Sequence, residues 1–301
     1  RRLCIGVRLG SANTGCRKAG KERCVMCAPR VIGAVKQEIN RRQALGLLAT
    51  PVVAGTLVRR AEARQAPVRL AGGFTRIHDL THTLSPQTPV YPVFNPFQIV
   101  QRFELASDGF FGSELTLGEH TGTHLDAPNH FAAGGLSTDQ MDPQQFFAPL
   151  AVISIADRAA RDPDTGITVD DLRAWERQHG RLPDGAFVAM NSGWDQRVGD
   201  SQAFLNADAE AVLHFPGFSV EAAQFLIEER DIVGVGVDTL SLDLGRSTDF
   251  AAHLTFLPAG KYGLELMANL DDVPPAGATL IVGAPKHQGG SGGPARVFAV
   301  S

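Results

Sequence analysis

From residue 64 onward the chain alternates short apolar runs, rich in β-branched residues, with turns built from Pro, Gly and Asp. These runs predict strands at 150–155, 186–190, 232–237 and 279–282. Two longer stretches read as helices. One covers Val169–His179, with Thr168 placed to cap its first turn and Gly180 to close it; the other covers Val220–Glu229 behind Ser219. Strands and helices interleave without an internal repeat or a low-complexity segment, so residues 64–301 are expected to form one mixed α/β domain.

Upstream the pattern changes. Asn40-Arg41-Arg42 stands directly before an uncharged run from Ala44 to Val58, the layout of a twin-arginine export signal. The run is short for a membrane span and is broken by Gly46, Pro51 and Gly55, so no stable span is expected in the mature form. Ala61-Glu62-Ala63 offers small residues to a signal peptidase. A leader over residues 1–63 with cleavage after Ala63 is therefore expected, and Met26 is an alternative start. If the run is instead a helix of the fold, the protein stays in the cytoplasm. All four cysteines, Cys4, Cys16, Cys24 and Cys27, fall before residue 28, so the main domain uses neither disulfides nor thiolates. Cys24 and Cys27 have the spacing of half a zinc knuckle, but Cys4 and Cys16 supply no matching pair.

Charge excludes one class of partner. The net charge of −4 comes without any Lys/Arg stripe interleaved with aromatics, so a nucleic acid is not expected.

The chemistry concentrates in Ser113-Glu-Leu-Thr-Leu-Gly-Glu-His-Thr-Gly-Thr-His-Leu-Asp-Ala-Pro-Asn-His130. If this segment is an extended strand, His120, Gly122, His124 and Asp126 share one face while Thr121, Thr123 and Leu125 take the other. Gly122 then leaves room between the two imidazoles for a metal. Two neutral imidazoles and a carboxylate suit zinc or manganese and leave coordination positions open, as a catalytic site requires. His130, beyond the turn that Pro128 imposes, is placed to take a proton from the attacking water and return it to a leaving nitrogen.

The window follows the pattern His-x-Gly-Thr-His-x-Asp-x-Pro-x-His, and in this the chain resembles the metal-dependent cyclase family, which includes bacterial kynurenine formamidases and isatin hydrolases. The resemblance covers residues 76–301, from Asp79-Leu-Thr-His-Thr-Leu-Ser-Pro to His253-Leu-Thr-Phe-Leu and Gly263-Leu-Glu265-Leu-Met. It implies a swivelling β/β/α-like domain and a site for one or two ions of Zn2+ or Mn2+. By resemblance His120 and His124 bind the first ion, Asp126 and Glu265 bridge, His253 binds the second, and His130 is the catalytic proton carrier. His253 and Glu265 stand twelve residues apart, as in the formamidases. By the same resemblance Gly234-Val-Gly-Val-Asp238-Thr-Leu-Ser241-Leu-Asp243 lies beside the active site, and within it Asp238 either orients a ligand imidazole or caps a turn. Asn191-Ser192-Gly193-Trp194 departs from the Arg-Thr-Gly-Trp that relatives often carry.

The implied activity is hydrolysis of a small amide or lactam, such as an N-formylkynurenine-like formamide or an isatin-like ring, by a homo-oligomer, a dimer in the simplest case. Tyr91, Phe94, Phe97, Phe110 and Phe111 are candidates for an aromatic pocket. Ring closure or dehydration in secondary metabolism would use the same Lewis acid, and product mass separates it from hydrolysis, which adds one water. A non-catalytic exported binding protein would have no use for His130.

Overall fold

The computed structural model of the protein describes residues 73–301; the leader expected over residues 1–63, with all four cysteines, lies outside them. In chain order the strands are β1 (Ile77–Asp79), β2 (Gln98–Phe103), β3 (Gly112–Thr116), β4 (His124–Asp126), β5 (Phe147–Ser154), β6 (Gly166–Ile167), β7 (Ala186–Asn191), β8 (Gly217–Phe218), β9 (Ile232–Val237), β10 (Tyr262–Glu265), β11 (Ala278–Gly283), β12 (Gly292–Pro294) and β13 (Arg296–Val300). Nine of them form one mixed sheet in the order β1-β13-β11-β5-β7-β9-β10-β4-β12. The four strands expected from the apolar runs are β5, β7, β9 and β11. Three of these, β5, β7 and β9, run parallel at the centre, joined by β10. Central parallel strands are covered on both faces, which is why these runs are almost continuously apolar.

Alternation sorts their side chains onto two cores. Leu150 and Val152 of β5 and Phe187 and Ala189 of β7 join one cluster with Leu125, Tyr262 and Leu280. Ala151, Ile153, Val188 and Met190 point the other way, onto Leu172, Trp175, Phe225 and Leu226 of the two long helices. Those helices have the expected bounds. Thr168 and Asp171 form a reciprocal capping box on Val169–His179, and the Ser219 hydroxyl accepts from Ala222 N on Val220–Glu229. Each such cap contributes about 1 kcal/mol, whereas each fully buried Leu or Phe contributes roughly 1.5–3 kcal/mol. Packing therefore outweighs local capping in holding these helices to the sheet.

The stretch Phe103–Phe111 groups apart from residues 73–102 and 112–301. Within it, the short helix Leu105–Asp108 closes on Gly109 in the left-handed region, and the Phe103 and Phe110 rings lie 4.6 Å apart. Among the described residues no helix is long and apolar enough to cross a membrane.

Candidate metal centre and its pocket

The polar site lies where β10, β4 and β12 meet. Register sets Glu265 opposite His124 and Gly263 opposite Asp126, while Gly292 of β12 faces Asp126 from the other side. His124 and Asp126 share a face of β4, and Leu125 between them points into the apolar core. The extended strand expected from His120 to Asp126 is shorter than that. Only His124–Asp126 is β, because Gly122 turns the chain with φ +64. Nor does Gly122 make room for an ion: a Cβ there would collide with Leu84 Cδ2. His120 reaches the site from a bend, and the Gly122 carbonyl accepts from His124 Nδ1 at 2.7 Å. Gly122→Ala should cost about 1–2 kcal/mol for the left-handed backbone alone, before Leu84 has to move; a lower melting temperature would show it, and an unchanged one would contradict the turn.

Five predicted residues converge here, all on Asp126 or Glu265. Asp126 Oδ1 lies 2.6 Å from His120 Nδ1 and 3.3 Å from His124 Nε2, and Asp126 Oδ2 lies 3.4 Å from His253 Nε2. Glu265 sits 3.4 Å from His124 Nε2 and 3.2 Å from His253 Nε2. His124 thus approaches Glu265 about as closely as it approaches Asp126, and His253 likewise lies beside both carboxylates. Ligand atoms of His124, Asp126 and Glu265 form one group within 4.8 Å, and those of His120, Asp126 and His130 form another.

Proton bookkeeping tests whether a cation fits. His124 gives its Nδ1 proton to a carbonyl, and His253 gives its own to Asp243 Oδ2 at 2.5 Å. In the neutral rings both Nε2 atoms are therefore lone pairs, aimed at two carboxylates that also have no protons to offer. His124 Nε2 and Asp126 Oδ2 are buried without a hydrogen-bond partner. Ligand atoms about 2.1 Å from a tetrahedral ion stand about 3.4 Å apart, the spacing seen here. Lone pairs at that spacing demand a positive charge, supplied by protons or by a metal. Burial opposes charging His124, yet Asp126 and Glu265 overcome it and raise its pKa to about 10. His253 is raised against burial by Asp126, Asp243 and Glu265, and both site carboxylates are lowered against theirs by the imidazoles. A divalent cation replaces those protons, so the donor set fits one.

His130 ends the 3-10 turn Pro128–His130 and stacks on His120 with centroids 3.9 Å apart. Burial lowers its pKa to about 4, against the pull of Asp126. Its imidazole is neutral at pH 7 and faces an open cleft of about 170 Å³. Tyr91, Phe94, Phe131 and Phe250 give this cleft aromatic walls, with Ser241 and Glu265 among its few polar groups. Phe250 is held in the left-handed region at φ +51 and packs on Phe131 and Tyr91. Of the aromatics expected there, Tyr91 and Phe94 line the cleft, and Phe97 is buried.

Asp243 closes the run that the resemblance places beside the active site, although within that run only Asp238 was given a role. Its carboxylate accepts from the backbone N–H groups of Ala252 and His253 as well as from the His253 ring. It fixes that imidazole from behind. Asp238 instead accepts from Ser192 N, Ser192 Oγ and Trp194 N, so it caps the turn after β7. Burial raises its pKa to about 7. Two further unanticipated groups, Glu119 and Ser291, lie behind His120.

Comparison with known proteins gives a consistent answer. Residues 78–244 match a family model described as "Putative cyclase". An isatin hydrolase of Roseibium aggregatum is 37% identical over 250 residues, 77% of this chain and 94% of the relative. A kynurenine formamidase of Salinibacter ruber is 30% identical over 221 residues, 72% of this chain and 94% of the relative. The solved structure of isatin hydrolase A from Ralstonia solanacearum superposes with a TM-score of 0.71 at 38% identity, covering 75% of this chain and 91% of that one.

Proposed function

The chain belongs to the cyclase family and is a metal-dependent amide hydrolase, and on that premise we propose that it opens a small aryl amide or lactam, with an isatin-like ring favoured over an N-formylkynurenine-like formamide. His120, His124, Asp126, His253 and Glu265 hold one or two ions of Zn2+ or Mn2+. The observation that carries this is the pair of imidazole Nε2 atoms facing two buried carboxylates at the base of an aromatic cleft. The higher identity to the isatin hydrolase favours the ring.

When bound, the ion supplies Lewis acidity that polarises the scissile carbonyl and makes the attacking water more acidic. The residues do the rest. Phe94, Phe131 and Phe250 seat a flat ring and exclude bulk water from it. Neutral His130 takes a proton from water as its oxygen bonds to the carbonyl carbon, then gives that proton to the nitrogen as the C–N bond breaks. Asp243 keeps the His253 ring in one orientation throughout.

The full chain, purified and analysed by mass spectrometry, should carry zinc or manganese, turn over isatin, and lose turnover on chelation until metal is restored. Product one water heavier than substrate identifies hydrolysis. A folded protein that takes up neither metal when supplied with both would sink the proposal.

Export by the twin-arginine route and assembly as a homodimer are further parts of the proposal. The first is supported by Arg41-Arg42 ahead of the uncharged run, the second by family resemblance alone. Loss of export in an Arg41→Lys, Arg42→Lys variant, and the mass in solution by light scattering, test them.

A further inference from the structure

We propose that Glu119 and Ser291 form a positioning pair that fixes His120 with Nε2 protonated and Nδ1 turned to the cation. The proposal rests on the metal centre inferred above.

A hydroxyl has one proton to give. Ser291 Oγ gives it to Glu119 Oε2 at 2.5 Å, and Ser291 N donates to the same oxygen at 3.1 Å. Towards His120 the hydroxyl therefore offers only lone pairs, and the 3.0 Å contact between Ser291 Oγ and His120 Nε2 requires the proton to sit on Nε2. In the neutral ring Nδ1 is then a bare lone pair, 2.6 Å from Asp126 Oδ1. Two lone pairs at that distance repel unless a cation lies beside both. His124 is set in the same manner by the Gly122 carbonyl and His253 by Asp243, but those two present Nε2. His120 is the one that presents Nδ1, and its proton is anchored through a hydroxyl backed by a carboxylate.

The segment bearing Ser291 is fastened in place. Ser291 O accepts from Ala127 N, one residue past Asp126, and Gly290 O accepts from Thr138 N. Gly289 N donates to Asp139, and Thr138 Oγ1 donates to His287 O. A Cβ at Gly292 would lie 2.6 Å from His120 Cε1, so this backbone approaches the ring as closely as the missing side chain permits. On the outer side His287 Nε2 lies 2.5 Å from Glu119 Oε1, which clamps the carboxylate between His287 and Ser291. Ser291 lies beyond residue 244, where the family match stops.

Partners of this kind change metal affinity by about 10- to 100-fold when removed. The test is titration of Mn2+ and Zn2+ into metal-stripped full-length protein by calorimetry, together with melting of the metal-free forms. Ser291→Ala and Glu119→Gln should each raise Kd by about 10- to 100-fold with the metal-free melting temperature unchanged, and Ser291→Thr should restore near wild-type affinity. Wild-type Kd in both variants, with His124→Ala having lost metal, would overturn the pair and leave the metal centre standing. Weakening only in step with a lower metal-free melting temperature would also overturn it, as a purely structural effect. Wild-type protein that binds neither ion would overturn both the pair and the centre.

Discussion

His130→Ala should lower kcat by about 10²- to 10⁴-fold while the protein keeps its full complement of metal. The magnitude is that of a general acid–base group. The split between rate and metal content follows from the placement of His130, which stacks on His120 and faces the cleft, outside the Asp126–Glu265 contacts that gather His124 and His253. Its pH dependence has a definite sign. A base whose pKa is lowered by burial is neutral at pH 7 and is lost only as pH falls through about 4. Wild-type kcat/KM should therefore stay level on the acid side of neutrality, then drop, and the residual rate of His130→Ala should lack that limb. Rate constants across pH and metal content by mass spectrometry decide the matter. Wild-type kcat would remove His130 from the reaction. Loss of metal along with rate would make it a ligand, a role its position within 4.8 Å of His120 and Asp126 ligand atoms permits.

Asp126→Asn should lose most of its bound metal and at least about 10³-fold in kcat/KM, since a catalytic ion supplies several kcal/mol of transition-state stabilisation. Glu265 reaches His124 and His253, but the carboxylate within hydrogen-bond reach of His120 is that of Asp126. Asp126 is fully buried, touches His120 and His124 through one oxygen and His253 through the other, and Asn would offer an N–H to rings that already face inward with lone pairs. Stability should register the same centre. In metal-free wild-type protein the raised pKa of His124 contributes stability that is fully present below its ordinary value of 6.5 and is lost as pH rises through about 10. Asp126 and Glu265, with lowered pKa values, contribute stability above their ordinary range that is lost in acid. The metal-free form should therefore melt at lower temperature at pH 10 than at pH 6. Added Zn2+ or Mn2+ should narrow that difference, because the ion takes the place of the His124 and His253 protons. Metal binding by Asp126→Asn at wild-type strength would remove Asp126 from the ligand set.

Local signals were readable wherever local physics decides. The capping residues Thr168 and Ser219 and the apolar runs of β5, β7, β9 and β11 marked their elements to within a few residues, because caps and strand burial act over a handful of neighbours. The spacing of His120, His124, Asp126 and His130 marked the chemistry, because few other uses place those groups so densely. The backbone route between them was misread. Alternation along a strand and a bend at a left-handed Gly122 both carry His120 to Asp126, and the sequence pattern is the same for either.

The sequence by itself determined where imidazoles and carboxylates crowd together along the chain and which helices and central strands exist, since those depend on residue chemistry and short-range order. Only the tertiary structure decided what stands behind each imidazole. Asp243 reaches His253 across ten residues, Ser291 reaches His120 across 171, and Glu265 is opposite His124 only because β10 pairs with β4. Asp238, equally acidic and five residues from Asp243, caps a turn instead. A hydrogen bond is fixed by position to a few tenths of an ångström, and position across a sheet is set by strand order and register, which no local pattern along the chain records.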